Sequence, residues 1–98
     1  MSRDELLQLS ETTLRDILRR NLPSGVPVYL FGSRARGTAR WNSDFDLWVD
    51  ADLPRAVILS IEEQLDDSIV PFKVDIVTTP QLRGEFGARV AQEAKPWM

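Results

Sequence analysis

A chain of 98 residues, of which 43% are hydrophobic and 28% charged, can bury one modest core, and we predict a single domain over residues 1–98. Its net charge of −3 and pI near 4.8 argue against a surface built for nonspecific nucleic-acid binding. Cysteine and histidine are absent, which excludes disulfides, zinc–thiolate centres and histidine bases. Any chemistry therefore depends on carboxylates, hydroxyls, cationic side chains and bound metal.

Targeting signals are not visible in the sequence. The N-terminus is polar and mixed in charge, and no apolar run approaches the length of a membrane span. We therefore expect a cytoplasmic protein with no membrane attachment.

The first predicted element is helical. Ser2 and Glu5 have the spacing of a capping box for a short helix, and Ser10 offers a second N-cap. The apolar residues that follow predict a helix from about Glu11 to Asn21, which Pro23 and Gly25 then end.

The central stretch carries the most specific pattern of the chain. An apolar strand over Val26–Phe31 leads into Gly32-Ser33 and a short helical turn, which can present backbone N–H groups to an anion. After Ser33 and ten intervening residues, Asp44 and Asp46 flank the start of a second strand over Phe45–Val49 and should share one face of it. Two carboxylates on one face repel unless a cation lies between them, so the pattern predicts a divalent metal site opposite a phosphate-binding turn.

The second half of the chain adds a third acid. An amphipathic helix begins near Pro54, and a strand over Phe72–Val77 contains Asp75 among apolar residues. A carboxylate in a buried strand is costly unless it is paired or metal-bound, so we predict Asp75 as the third carboxylate of the site. The alternative is a strand-edge acid that pairs with Lys73 or an arginine.

We predict a last helix that begins at Thr79-Pro80 and ends before Pro96. Trp97 and Met98 then either fold back on the core or form an exposed contact for a partner. The order of elements predicts an α+β fold, a small single sheet with helices packed over it.

The motif from Gly32 to Asp46 resembles the minimal nucleotidyltransferases (MNT), small members of the DNA polymerase beta-like superfamily. The similarity rests on Gly-Ser, the basic turn that follows, Ser43 and Asp-x-Asp, and it extends to Asp75. It implies a nucleotidyltransferase fold with a mixed sheet and two Mg²⁺ ions. In that reading Asp44, Asp46 and Asp75 are the catalytic and metal-binding residues. The residues that bind the nucleotide would then be Gly32, Ser33, Arg34, Arg36 and Ser43.

The resemblance also implies a reaction: transfer of a nucleotidyl group from a nucleoside triphosphate, with pyrophosphate as the leaving group. Similar stand-alone MNT proteins are antitoxins of HEPN/MNT toxin–antitoxin pairs, which transfer AMP from ATP to a tyrosine of the HEPN ribonuclease toxin. We expect this function, with assembly of the chain and its toxin partner. Two alternatives stay open: a non-catalytic antitoxin that neutralises its partner by binding, and a catalytic subunit that modifies a small molecule such as an aminoglycoside.

Overall fold

The protein is described by a computed structural model that covers residues 1–98. Its secondary structure consists of four α-helices, four strands and one 3-10 turn. In chain order they are α1 Arg3–Asn21, β1 Val28–Phe31, α2 Gly32–Arg36, β2 Phe45–Val49, α3 Arg55–Asp66, β3 Val74–Thr78, the 3-10 turn Thr79–Gln81, α4 Gly84–Glu93 and β4 Lys95–Pro96.

These elements form two compact units. One consists of Met1–Gly25 and Leu53–Pro71 and contains α1 and α3; the other consists of Val26–Asp52 and Phe72–Met98 and contains the sheet, α2 and α4. None of the helices is both long enough and apolar enough to span a membrane.

The helical unit begins with the predicted capping box. The Ser2 hydroxyl accepts a hydrogen bond from the Glu5 N–H, and the Glu5 carboxylate accepts one from the Ser2 N–H. The prediction that Ser10 caps a second helix is wrong: α1 runs without a break, and Ser10 is buried inside it. The segment between Ser2 and Asn21 contains neither glycine nor proline, so nothing stops a helix that is already capped.

The two helices of this unit are joined by polar contacts. Asn21, at the end of α1, accepts hydrogen bonds from Ser60 (3.1 Å) and Gln64 (3.1 Å) of α3. The apolar side chains on the inner face of α3 include Ile61 and Leu65, and both are buried. The helix begins one residue after Pro54, which agrees with the predicted start.

The other unit is built on a mixed sheet with the strand order β3-β2-β1-β4. Strand β2 is antiparallel to β1 and parallel to β3, as a small mixed sheet in an α+β fold requires. Backbone hydrogen bonds mark both ends of the parallel pair: Phe45 N–H donates to Lys73 O (2.9 Å), and Thr79 N–H donates to Ala51 O (3.3 Å). The bounds of β2 are those predicted, whereas β1 and β3 each begin two residues later than expected.

The C-terminal residues form a fourth strand that the sequence did not predict. Strand β4 pairs with β1, with Lys95 opposite Leu30 and Pro96 opposite Tyr29. The Val28 carbonyl accepts the Trp97 N–H (2.9 Å), and the Trp97 ring lies 6.3 Å from that of Phe45. Of the two alternatives for the tail, the chain therefore adopts the one in which it folds back.

The last helix begins later than predicted. Thr79-Pro80 belongs to a separate 3-10 turn, which Thr78 and Gln81 close as a capping box, and α4 starts at Gly84. The chain then passes very close to its own helix, because a Cβ at Gly87 would lie 2.6 Å from the carbonyl carbon of Leu82. This close approach fixes the direction in which α4 leaves the turn.

Candidate active site

The Gly32-Ser33 turn joins β1 directly to α2. Gly32 has φ +74°, in the left-handed region that side chains disfavour. A Cβ at this position would also collide with Oδ2 of Asp46. Glycine is thus required twice, by the backbone and by the carboxylate that packs against it, and the turn and the acid form one unit.

Two of the predicted carboxylates face each other across neighbouring strands. In the parallel pairing of β2 and β3, Asp46 lies directly opposite Asp75. Asp44 precedes β2 by one residue and is exposed, while Asp46 is half-buried. Burial raises the pKa of Asp46, and the charges of Asp75 and Asp44 and a hydrogen bond with Asp75 raise it further, against a smaller lowering by Lys73.

Asp75 differs from its prediction in one respect. Strand β3 is half-buried along most of its length, so the premise of a deeply buried acid is wrong: the Asp75 side chain is 44% exposed. Its carboxylate lies 3.7 Å from the Lys73 ammonium, the pairing considered as the alternative. Asp75 nevertheless lies opposite Asp46, so its exposed ion pair with Lys73 is compatible with the facing of the two carboxylates.

These groups line one open pocket of about 610 Å³. The sequence-predicted residues around it are Gly32, Ser33, Arg36, Ser43, Asp44, Asp46 and Asp75. Every residue predicted for the site except Arg34 is therefore brought to the same cavity.

Arg34 instead holds the loop that precedes β2. Its guanidinium donates to Ser43 O (2.6 and 3.1 Å) and to Trp41 O (2.8 Å), and it lies 4.1 Å from the centre of the Phe45 ring. A planar guanidinium can bind carbonyls and stack on an aromatic ring at the same time. These contacts fix the loop that delivers Asp44 to the pocket.

Sequence reasoning missed the contribution of α4. Phe86, Arg89 and Glu93 line the pocket from this helix, together with Ile76 and Val77 of β3. Their spacing of three and four residues puts them on one helical face, and this spacing was the only pattern in the sequence that could have grouped them. Nothing in the sequence, however, indicated which elements this face would meet.

Glu93 makes the closest contacts of this group. Its carboxylate accepts the Gly32 N–H at 3.0 Å and pairs with Arg36 at 2.9 Å, and its side chain is only 15% exposed. Partial burial alone would raise the pKa of Glu93, but the Gly32 N–H and the Arg36 guanidinium outweigh it and hold that pKa below its usual value. Glu93 is therefore a charged acceptor on the predicted phosphate-binding turn.

The charge and donor chemistry of the pocket suit magnesium. Four carboxylates and two guanidinium groups line it, a formal excess of two negative charges that a polyphosphate would increase. No group of three or more acidic side chains is close enough to hold an ion as an all-protein cage. Magnesium characteristically takes one or two carboxylates and completes its shell with waters and substrate phosphates, so the pair Asp46 and Asp75, with Asp44 beside it, fits that pattern.

Comparison with known families decides the classification. The sequence model of the nucleotidyltransferase domain family matches residues 11–98. The chain belongs to the nucleotidyltransferase domain family. No curated protein matches it at a significant level.

Solved structures with the same fold come from toxin–antitoxin complexes. The nucleotidyltransferase domain is 28% identical to a chain of a toxin–antitoxin complex with AMP-PNP, with a TM-score of 0.71 over 90% of this chain and 72% of the other. It is 26% identical to a chain of the toxin–antitoxin MntA-HepT, with a TM-score of 0.65 over 93% and 71%. A complex of the tri-AMPylated Shewanella oneidensis HEPN toxin with its MNT antitoxin matches at 24% identity, with a TM-score of 0.67 over 94% and 71%, and this match supports the fold alone.

Proposed function

We propose that this nucleotidyltransferase domain is a magnesium-dependent protein adenylyltransferase, an antitoxin that transfers AMP from ATP to a HEPN ribonuclease toxin. Membership of the family over residues 11–98 supports the class of reaction. The observation that carries the proposal is that Asp46 and Asp75 face each other beside the Gly32-Ser33 turn, within one pocket. Similarity to chains of toxin–antitoxin complexes, one of them with AMP-PNP, supports the partner and the nucleotide.

In this proposal the residues of the turn bind the leaving group. The Gly32 and Ser33 N–H groups and the Ser33 hydroxyl hold the β- and γ-phosphates, and Arg36 neutralises part of their charge. This orients the bond between the α-phosphorus and the pyrophosphate oxygen opposite the acceptor. Ser43 and the loop fastened by Arg34 keep Asp44 at the rim of the pocket.

The carboxylates act on the acceptor side. Asp44, Asp46 and Asp75 would hold Mg²⁺, which supplies charge neutralisation and lowers the pKa of an acceptor hydroxyl. Asp75 accepts the proton of the tyrosine hydroxyl of the toxin, since 44% of its side chain is exposed and open to an incoming acceptor. The tyrosine oxygen then bonds to the α-phosphorus as the bond to pyrophosphate breaks, which gives an AMP ester and free pyrophosphate.

The test uses the purified protein, Mg²⁺, ATP and the protein encoded by the neighbouring gene, the expected HEPN toxin. Intact mass of both chains should reveal one or more AMP units on the HEPN protein. Asp44→Ala and Asp46→Ala should abolish the mass increase while the far-UV circular dichroism spectrum stays unchanged. Asp52→Ala is the matched control, because Asp52 is an exposed aspartate after β2 that does not line the pocket. Full transfer by either site variant would overturn the mechanism.

A second candidate is a non-catalytic antitoxin that binds its toxin without modifying it. One observation favours it: the three acids do not gather into a cluster that could hold a metal without the help of a substrate. A stable complex with the HEPN protein and no mass change, in a preparation that binds ATP and Mg²⁺, would support this candidate over transfer.

A further inference from the structure

Glu93 accepts hydrogen bonds from the donor groups that would otherwise bind a phosphate. One of its carboxylate oxygens accepts the Gly32 N–H (3.0 Å) and the other pairs with Arg36 (2.9 Å). Arg89, on the same face of α4, also lines this part of the pocket. An N–H group and a guanidinium that each bind a separate oxygen of one anion are the arrangement by which proteins bind phosphate. The carboxylate thus imitates two oxygens of a phosphate group.

We infer that Glu93 is an internal competitor of the nucleotide: it covers the phosphate-binding turn in the free protein and must release Gly32 and Arg36 before a triphosphate can bind. This inference rests on the proposed function, because it assigns the turn to phosphate. Two anions cannot share the same N–H and guanidinium without strong repulsion, so one has to leave. Arg36 is half exposed and can follow the incoming phosphate.

The backbone near Glu93 is held, which limits how the release occurs. Glu93 is the last residue of α4, and the Ala94 N–H still bonds to Val90 O at 2.9 Å. Two residues later Lys95 pairs with Leu30 in the sheet. Release therefore takes place by rotation of the Glu93 side chain, without a movement of the helix.

A purely structural role of Glu93 and a competitive one predict different changes in nucleotide affinity when Glu93 is replaced. If Glu93 serves only to fasten α4 to the turn, its loss should leave nucleotide affinity unchanged or weaken it by disordering the turn. If it competes, its loss should strengthen binding, and by the same factor for any ligand that carries the polyphosphate.

The experiment is isothermal titration calorimetry of the full chain with two probes, Mg-ATP and magnesium tripolyphosphate. Glu93→Gln keeps the shape of the side chain and an acceptor for the Gly32 N–H but removes the charge that pairs with Arg36. We expect both probes to bind roughly 1.5- to fivefold more tightly, the factor that corresponds to loss of a partly exposed ion pair. Glu85→Gln is the control, because it removes the same charge from an exposed position of α4 outside the pocket and should leave both affinities unchanged.

Two further variants strengthen the test. Glu93→Asp keeps the charge on a shorter side chain, and it should give a smaller gain in affinity. In an Arg36→Gln background the gain from Glu93→Gln should shrink, because the contested guanidinium is gone. If the wild-type chain binds the probes and Glu93→Gln binds them no more tightly, the inference is overturned and the proposed function stands. If neither the wild-type chain nor any variant binds either probe, both the inference and the proposed function are overturned.

Discussion

The contact between Gly32 and Asp46 gives the sharpest test of the site. Alanine at position 32 would have to adopt φ +74° and would also collide with Oδ2 of Asp46. The left-handed backbone costs about 1–2 kcal/mol for alanine. Turning the Asp46 side chain away from its rotamer adds roughly 0.5–1.5 kcal/mol. We therefore expect Gly32→Ala to lower the free energy of unfolding by about 1.5–3.5 kcal/mol.

A matched control separates these two contributions. Gly25 has φ +82° and no atom within 4 Å of an added Cβ, so Gly25→Ala carries the backbone penalty without the collision. Urea denaturation of both variants measures the difference. Displacement of Asp46 by about an ångström should also reduce AMP transfer by about a hundredfold in Gly32→Ala and not in Gly25→Ala. Equal stability losses, together with undiminished transfer in Gly32→Ala, would refute the proposed link between the turn and the carboxylate.

Three further predictions concern single side chains. The pKa of Asp46 is raised above 3.8, so without metal Asp46 stabilises the fold below that pH and this stabilisation is lost as the pH rises through the raised pKa. Asp46→Asn should therefore abolish this pH-dependent loss of stability. Urea denaturation at pH 3 and pH 7 in EDTA measures it. Arg34→Lys should destabilise the fold by about 1–2 kcal/mol, because lysine cannot both stack on Phe45 and bind two carbonyls, and an unchanged melting temperature would contradict this. Gly87→Ala should lower the melting temperature, because an overlap with Leu82 that costs about 1–3 kcal/mol exceeds the helix-propensity gain of about 1 kcal/mol; a rise would contradict it.

The parts of the fold that follow from local patterns could be read from the sequence. The bounds of β2 were predicted correctly, and the two-residue spacing of Asp44 and Asp46 pointed to the pocket that both residues line. The fourth strand has no such pattern, since it is two residues long and contains Pro96, which cannot donate to a ladder.

The contacts of Glu93 could not be predicted from the sequence either. It contacts a residue 61 positions away, and its i+4 spacing from Arg89 is equally typical of a solvated helical face. Asp75 illustrates a different limit. It was predicted as the third carboxylate of the site on the premise that β3 is buried, and only the three-dimensional packing gives the exposure of that strand.

The parallel pairing of β2 with β3 makes the site an all-or-none feature of the fold. Because side chains alternate along a strand, a slip of one residue would turn Asp75 to the opposite face of the sheet from Asp46. The hydrogen bonds from Phe45 to Lys73 and from Thr79 to Ala51 hold the strands at both ends against such a slip. Insertions in the segment between the strands can therefore be neutral for activity as long as the pairing is kept, while a slip of β3 by one residue would remove one acid from the pocket without any substitution.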